Sequence, residues 1–390
     1  MKELRKTGIT GPMSYDPDNW TVDVTNPQLR VNLANLHADL TQNMPWRRSA
    51  IIRRFVSHLA PGVFDRPRTL DEASPLLLPN LRDSAMWEFL RLDADLQGLK
   101  PLDPPRIDLT SRLSSALYVD AEHGMSMVTN EDLERWEICF DEGMILALEN
   151  LSARSNEAFL ELTDGVWASP WSDCYDTARL LLPDKLREVE VDGNLVAFCP
   201  HWNTLLLTGS NDIAGLAGCL DSSAQQITEA PKPLTAQPIM QRYPGWEMLR
   251  FGRGHQLFNL WAKARVFEMV GLYRDQQSVL EQWYKLRGDD VYIAHFNGVE
   301  QKDSKETRSY CVWGKGVVAL LPEADEVVFF EDDKPEEQKV TRIDWDVMWT
   351  VCEPLLALTD HVPVRWRVAS FPDSDSLQRM REMQEHRTQH

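Results

Sequence analysis

The residues best suited to chemistry lie in two short segments of the sequence. The first segment carries Cys174, Tyr175, Asp176 and Arg179, and the second carries His201 and Asn203. If the two segments meet in space, the thiol of Cys174 could act as a nucleophile and His201 as its base. One of Asp173, Asp176 and Asn203 would then orient the imidazole. The catalytic candidates are therefore Cys174, His201 and Asp176, and the ligand-binding candidates are Tyr175, Arg179 and Asn203.

The same residues also have structural interpretations. A buried cysteine and a loop histidine are commoner than a catalytic pair. Arg179 and Asp176 lie three residues apart, and we expect a structural ion pair between them more often than a substrate carboxylate on Arg179. The sequence therefore favours a noncatalytic protein and leaves a hydrolase or transferase at this region as the alternative.

Motifs for common cofactors are missing from the sequence. The Gly314-Lys315-Gly316 turn is no phosphate-binding loop, because position 309 is serine where that motif needs glycine. Cys199 and His201 offer two metal ligands, whereas a zinc site needs three or four. We therefore predict neither a cofactor nor a metal.

The elements that position the two segments are mixed in type. Alternating apolar residues predict paired strands at 195–199 and 204–208, with His201 in the loop between them. A capping box at Thr129 and Asp132 predicts the start of a helix. Several such hairpins among amphipathic helices indicate an α+β fold with two lobes, in which mixed, mainly antiparallel sheets have flanking helices.

Proline-rich and polar stretches divide the predicted chain into parts. The clearest boundary is the stretch 231–238, which carries three prolines. The expected parts are an irregular N-terminal arm at 1–28, an α+β domain at 29–230, a Pro-rich linker at 231–238, a second α+β domain at 239–375 and a polar tail at 376–390. A helix split at Pro45 is expected from about Leu29 to Ala60.

The order of several short motifs resembles a known bacterial family. The motifs are the strand and turn at 113–126, Thr129-x-Glu131-Asp132-Leu133-x-x-Trp136, the helix end at 147–151, Cys174-Tyr175-Asp176-Thr177-Ala178-Arg179 with the following Leu-Leu-Leu-Pro, and the segment 196–206. In this order they resemble domain of unknown function 1444, which includes the YtpQ-like proteins, over roughly residues 30–235. Segments at 309–330 and 364–372 resemble the extended form of that family. The resemblance implies a cytoplasmic bacterial protein of mixed α and β fold, without an established reaction.

Charge and hydropathy limit the partners. The 390-residue chain has a net charge of −19 and no apolar run near the length of a membrane helix. We expect neither a membrane nor a nucleic acid as partner, because both attract basic surfaces. The start of the chain shows no secretory signal, which favours the cytoplasm. Residues 129–164 hold ten acidic and two basic residues, and residues 321–346 hold ten and three. The sequence thus favours an interaction or regulatory protein, in which these acidic stretches are either solvated faces or docking surfaces for a basic protein partner.

Overall fold

The computed structural model of the chain describes residues 1–6, 9, 11–17, 20–25, 28–33, 36, 37, 40, 48–57, 66–101, 103–121, 124–229, 233–301 and 306–388. Two compact units divide the chain. The first comprises Met1–Asn80 and Ala116–Asn156, and the second comprises Leu81–Ser115 and Glu157–His390. Residues 233–238 lie within the second unit, and the division at 231–238 stays a prediction.

Helices and strands alternate irregularly along the chain. In order, the helices are α1 (Lys2–Lys6), α2 (Arg48–Ser57), α3 (Leu70–Ala73), α4 (Ala85–Leu96), α5 (Asn130–Trp136), α6 (Phe140–Ala153), α7 (Pro183–Leu186), α8 (Ile213–Glu229), α9 (Phe258–Arg287), α10 (Trp345–Cys352) and α11 (Ser374–Thr388). The strands are β1 (Met13–Asp16), β2 (Thr21–Thr25), β3 (Gln28–Asn32), β4 (Leu77–Asp83), β5 (Arg106–Asp108), β6 (Leu113–Ala121), β7 (Gly124–Met127), β8 (Leu160–Thr163), β9 (Val166–Ala168), β10 (Leu195–His201), β11 (Thr204–Gly209), β12 (Ile239–Arg242), β13 (Gly245–Met248), β14 (Tyr292–Ile293), β15 (Asn297–Glu300), β16 (Thr307–Gly314), β17 (Ala319–Pro322), β18 (Glu326–Phe330), β19 (Val340–Asp344), β20 (Leu356–Leu358) and β21 (Arg365–Val368). Short 3₁₀ helices occupy Ser74–Leu76, Thr177–Leu181, Glu336–Gln338 and Glu353–Leu355.

Strand pairing confirms the predicted α+β class. Most of the described strand pairs are antiparallel, while β14 with β17 and β16 with β18 are parallel. Among the described helices, none is long and apolar enough to cross a membrane.

The N-terminal region contains regular structure where the sequence predicted an irregular arm followed by a helix. Strands β1, β2 and β3 form an antiparallel sheet of three strands. Val22 and Val24 alternate along β2 and are buried with Val31 of β3. That period of two outweighs the helical spacing of leucines beyond residue 29. Pro45 lies outside the described residues, and the following helix is α2.

A six-stranded antiparallel sheet positions the predicted site. Its strand order is β13-β12-β10-β11-β9-β8. Strands β10 and β11 are buried on both faces, with Ala197 and Leu207 on one face and Phe198 and Leu206 on the other. Because both faces are apolar, the two strands hold the turn at Trp202 and Asn203 firmly in place. His201, predicted in the loop, is instead the last residue of β10 and pairs with Thr204.

The second unit also contains a core around Trp313, Phe329 and Ile343. It lies on the sheet β15-β16-β18-β19 and is covered by α10 and α11. Helix α11 forms where the sequence predicted a polar tail, because Leu377 and Met380 are buried against this core. Helix α9 runs without interruption from Phe258 to Arg287.

Candidate functional site

The two candidate segments are neighbours in the structure. The loop after β9 leads into the 3₁₀ helix Thr177–Leu181, and the second segment is the turn between β10 and β11. The backbone N–H of Thr177 donates a hydrogen bond to the carbonyl of Trp202 over 3.4 Å. The backbone N–H of Ser169 donates to the carbonyl of Leu205 over 2.9 Å, and the N–H of Leu205 donates to the Ser169 hydroxyl over 3.2 Å. The end of the sheet thus fixes the loop against the turn.

Asp176 acts within the loop itself. Its carboxylate is fully buried and accepts hydrogen bonds from the backbone N–H groups of Ser172 at 3.0 Å and Asp173 at 3.2 Å. Burial raises the pKa of Asp176 above its usual range, although the hydrogen bonds from Ser169 and Ser172 counteract part of this effect. Because each carboxylate oxygen is bound to the backbone, Asp176 stabilises the loop conformation rather than facing a substrate.

Arg179 forms a buried ion pair, but with a different partner from the one expected. Its two terminal nitrogens donate to the carboxylate of Asp173 at 2.9 and 2.8 Å, and its guanidinium lies 3.9 Å from the ring centre of Trp171. Asp176, the partner suggested by sequence spacing, is already engaged with the backbone. Burial acts to raise the pKa of Asp173, but the hydrogen bond and charge of Arg179 outweigh it and hold that pKa below its usual range.

The remaining candidates lie in the loop and at the end of the hairpin. Cys174 is partly exposed and adopts a left-handed backbone conformation with φ of 72°. Tyr175 is buried, and its backbone N–H donates to Asp173 over 3.0 Å. In the turn, the backbone N–H of Asn203 donates to Nδ1 of His201 over 3.4 Å. Contact between the Cys174 thiol and the His201 imidazole, on which the catalytic alternative depends, stays a prediction.

Metal ligands do not cluster in the part of the chain that the structure describes. No group of three or more histidine, cysteine or acidic residues there has a geometry that could hold a metal ion. Cys199 is buried beneath the turn, and burial raises the pKa of its thiol strongly. A buried, protonated thiol of this kind is a poor nucleophile.

The first unit contains a pocket that the sequence motifs did not predict. It lies at the junction of α5 and α6, has a volume of about 350 Å³ and is lined by Leu133, Glu134, Glu137, Ile138, Cys139 and Phe140, with Asn130 at its edge. The junction is tightly built. Thr129 and Asp132 form the predicted capping box, and Glu137 ends α5 in a left-handed conformation. Cys139 then begins α6, whose Glu142 accepts a hydrogen bond from the Cys139 backbone over 2.7 Å.

The charges around this pocket differ from those of the second acidic stretch. Glu134, Glu137 and Asp141 are exposed and form no ion pair with the residues that the structure describes. In residues 321–346, by contrast, most carboxylates bind cations of the same chain. The pairs are Asp325 with Arg265, Glu326 and Asp344 with Arg308, Glu331 and Asp333 with Lys315, Asp332 and Glu336 with Lys339, and Asp346 with Arg387. The many acidic residues in 129–164 were therefore the sequence signal for the pocket. The equally many acidic residues in 321–346 did not indicate unpaired carboxylates, because most of them bind cations.

Known proteins give no closer definition of the site. The resemblance to domain of unknown function 1444 stays a prediction, since comparison of the chain with family models, curated proteins and solved structures gives no match.

Proposed function

We propose that the protein is a noncatalytic interaction protein that binds a basic segment of a partner protein in the pocket between α5 and α6. One observation carries the proposal. An open pocket with a partly apolar lining carries exposed carboxylates of Glu134 and Glu137 that form no salt bridge with a described cation. The proposal includes the bacterial cytoplasm as the compartment, which the resemblance to domain of unknown function 1444 implies.

The chemistry of the pocket matches an arginine or lysine side chain. Such a side chain has an apolar stem and a charged end, so its stem can pack on apolar residues while its end binds a carboxylate. Leu133, Ile138 and Phe140 supply the apolar surface. Glu134 and Glu137 supply two acceptors, which suit the several N–H donors of a guanidinium. Asp141 adds negative charge nearby and would increase the rate of encounter with a basic segment.

The state of the catalytic candidates supports a noncatalytic protein. Asp176 is engaged with the loop backbone, and Arg179 is engaged with Asp173 and Trp171. A hydrolase or transferase using Cys174 and His201 is the second candidate. The observation in its favour is the hydrogen bond from Thr177 to Trp202, which joins the two segments.

A pull-down with three immobilised baits, from an extract of the cells that make the protein, tests the proposal. The full chain, the variant Glu134→Gln with Glu137→Gln, and the control variant Asp332→Asn with Glu336→Gln are immobilised and the retained proteins are quantified. The control carboxylates are exposed but already bound to Lys339. We expect a protein retained by the full chain and the control and lost by the pocket variant. It should also be released as salt rises from about 0.15 to about 0.5 M.

The retained protein is then purified and titrated against each bait. We expect the pocket variant to bind it about tenfold more weakly or worse, and the control variant to bind it unchanged. Equal retention by all three baits, or a purified partner that binds the pocket variant normally, would refute the proposed site. Turnover by the full chain that is lost in Cys174→Ser would favour the second candidate.

A further inference from the structure

The outer strand β19 leaves hydrogen-bonding groups of its backbone open. β19 pairs with β18 on one side and ends the sheet on the other. Phe330 of β18 lies opposite Val340 of β19. The carbonyl of Phe330 accepts a hydrogen bond from the backbone N–H of Lys315 and therefore points away from β19. The N–H of Glu331 donates to the carbonyl of Lys339 over 2.9 Å. Because N–H and C=O groups alternate in direction along an antiparallel strand, those of Val340 and Arg342 point away from the sheet.

The open edge faces a groove rather than bulk solvent. The groove has a volume of about 650 Å³ and lies between β19 and one flank of α11. Ser374, Leu377 and Arg381 form that flank, since they recur at helical spacing. The far end is closed, because the N–H of Asp344 donates to the side chain of Gln384 over 3.1 Å. Among the described residues, the outward backbone groups of Val340 and Arg342 have no hydrogen-bond partner.

The cations of the groove indicate what it binds. Arg381 donates to the hydroxyl of Thr341 over 2.8 Å but forms no ion pair with a described residue. Lys334 forms no salt bridge with a described residue, although the charge of Asp333 acts on it, and Glu331 is bound by Lys315. Among the described lining residues, Glu337 is the one carboxylate without a salt bridge. Arg381 is therefore a cation of the groove that can bind a negative group of a partner.

We propose that an extended segment of a partner protein adds as a further strand to β19, with an acidic side chain of the segment bound to Arg381. Addition of a strand to a sheet edge derives affinity from backbone hydrogen bonds and specificity from alternate side chains. This site is separate from the α5–α6 pocket and does not depend on it.

A matched pair of substitutions isolates the open edge. Arg342→Pro removes the outward N–H without breaking the ladder to β18, and proline is tolerated on outer strands. Arg342→Val removes the same side chain, including its 3.5 Å pair with Glu326, but keeps the N–H. Arg381→Gln removes the charge that binds the acidic residue.

The probe is a library of random heptapeptides displayed on phage, selected on the full chain. The most enriched peptide is then synthesised and titrated by fluorescence anisotropy. We expect the enriched peptides to share an acidic residue. Arg342→Pro should weaken binding about tenfold relative to Arg342→Val, and Arg381→Gln should weaken it about tenfold relative to the unmodified chain.

Amide hydrogen exchange of the unmodified chain tests the proposal even if Arg342→Pro does not fold. On the unmodified chain, saturating peptide should slow exchange of the Val340 and Arg342 amides at least about tenfold and leave the Thr341 amide unchanged. The proposal is overturned by a library without enrichment, by a peptide that binds Arg342→Pro as well as Arg342→Val, by binding indifferent to Arg381→Gln, or by outward amides already protected in the free chain.

Discussion

Arg179 distinguishes a structural loop from a binding site, because the two roles predict opposite effects on stability. We expect Arg179→Met to lower the free energy of unfolding by about 3 kcal/mol. Removing one partner of a buried ion pair costs about 3–5 kcal/mol, and the stacking on Trp171 contributes about 1 kcal/mol more. The total is reduced because the side chain of Asp173 is 32% exposed and regains water once Arg179 is gone.

The conservative change and the control sharpen this estimate. Arg179→Lys keeps the charge but loses the two parallel hydrogen bonds and the stacking, so we expect a loss of about 2 kcal/mol. Arg187→Met removes the pair between Arg187 and Asp184, whose side chains are 75% and 94% exposed, and should cost less than about 0.5 kcal/mol.

Urea unfolding followed by circular dichroism measures all three variants. Alkylation of Cys174 supplies a local measure, since a loosened loop should expose this partly buried thiol and raise its rate of modification. An Arg179→Met chain as stable as the unmodified protein, or more stable, would refute the structural role. That result is expected of a residue held ready for a ligand, where stability and function oppose each other.

Three further predictions follow from the structure. Burial raises the pKa of Asp83 from 3.8 to about 6 despite its ion pair with Arg112, so the folded state retains the proton more tightly. The free energy of unfolding should therefore fall by about 2 kcal/mol as pH rises from 4 to 6, and Asp83→Asn should flatten this fall in urea unfolding at several pH values. Gly209→Ala should destabilise the chain by about 3 kcal/mol or prevent folding, because its Cβ would lie 2.0 Å from the backbone oxygen of Asp192. Gly218→Ala is the control, because its Cβ meets open space. Equal thermal stability of the two variants would contradict the geometry. Iodoacetamide should modify exposed Cys139 fastest in the native chain, as read by mass spectrometry of peptides, and rapid native modification of the buried thiols would contradict their placement. The buried thiols are Cys199, Cys219, Cys311 and Cys352.

The sequence predicted elements well where one local pattern dominated. The paired strands β10 and β11 and the capping box at Thr129 are confirmed, since alternation and cap chemistry involve residues close in sequence. Helix α11 was missed because its few apolar residues, Leu377 and Met380, become significant only when a distant core receives them.

The candidate site shows a similar limit. Sequence spacing identified the loop and the turn that meet, but it assigned Asp176 rather than Asp173 to Arg179. Spacing alone cannot show that backbone N–H groups have already engaged a carboxylate. Acidic counts were equally ambiguous, because the cations that neutralise residues 321–346 include Arg265 and Lys315, which lie outside that stretch.

The reactivity of Cys139 reports on occupancy of the α5–α6 pocket, because this exposed thiol lines it. The rate of its alkylation is measured with and without the purified partner, with Cys174 as the internal reference. Saturating partner should slow modification of Cys139 about tenfold and leave Cys174 unchanged, and Glu134→Gln with Glu137→Gln should abolish this protection. Bound partner that leaves the Cys139 rate unchanged, or that protects Cys174 instead, would contradict binding in the pocket.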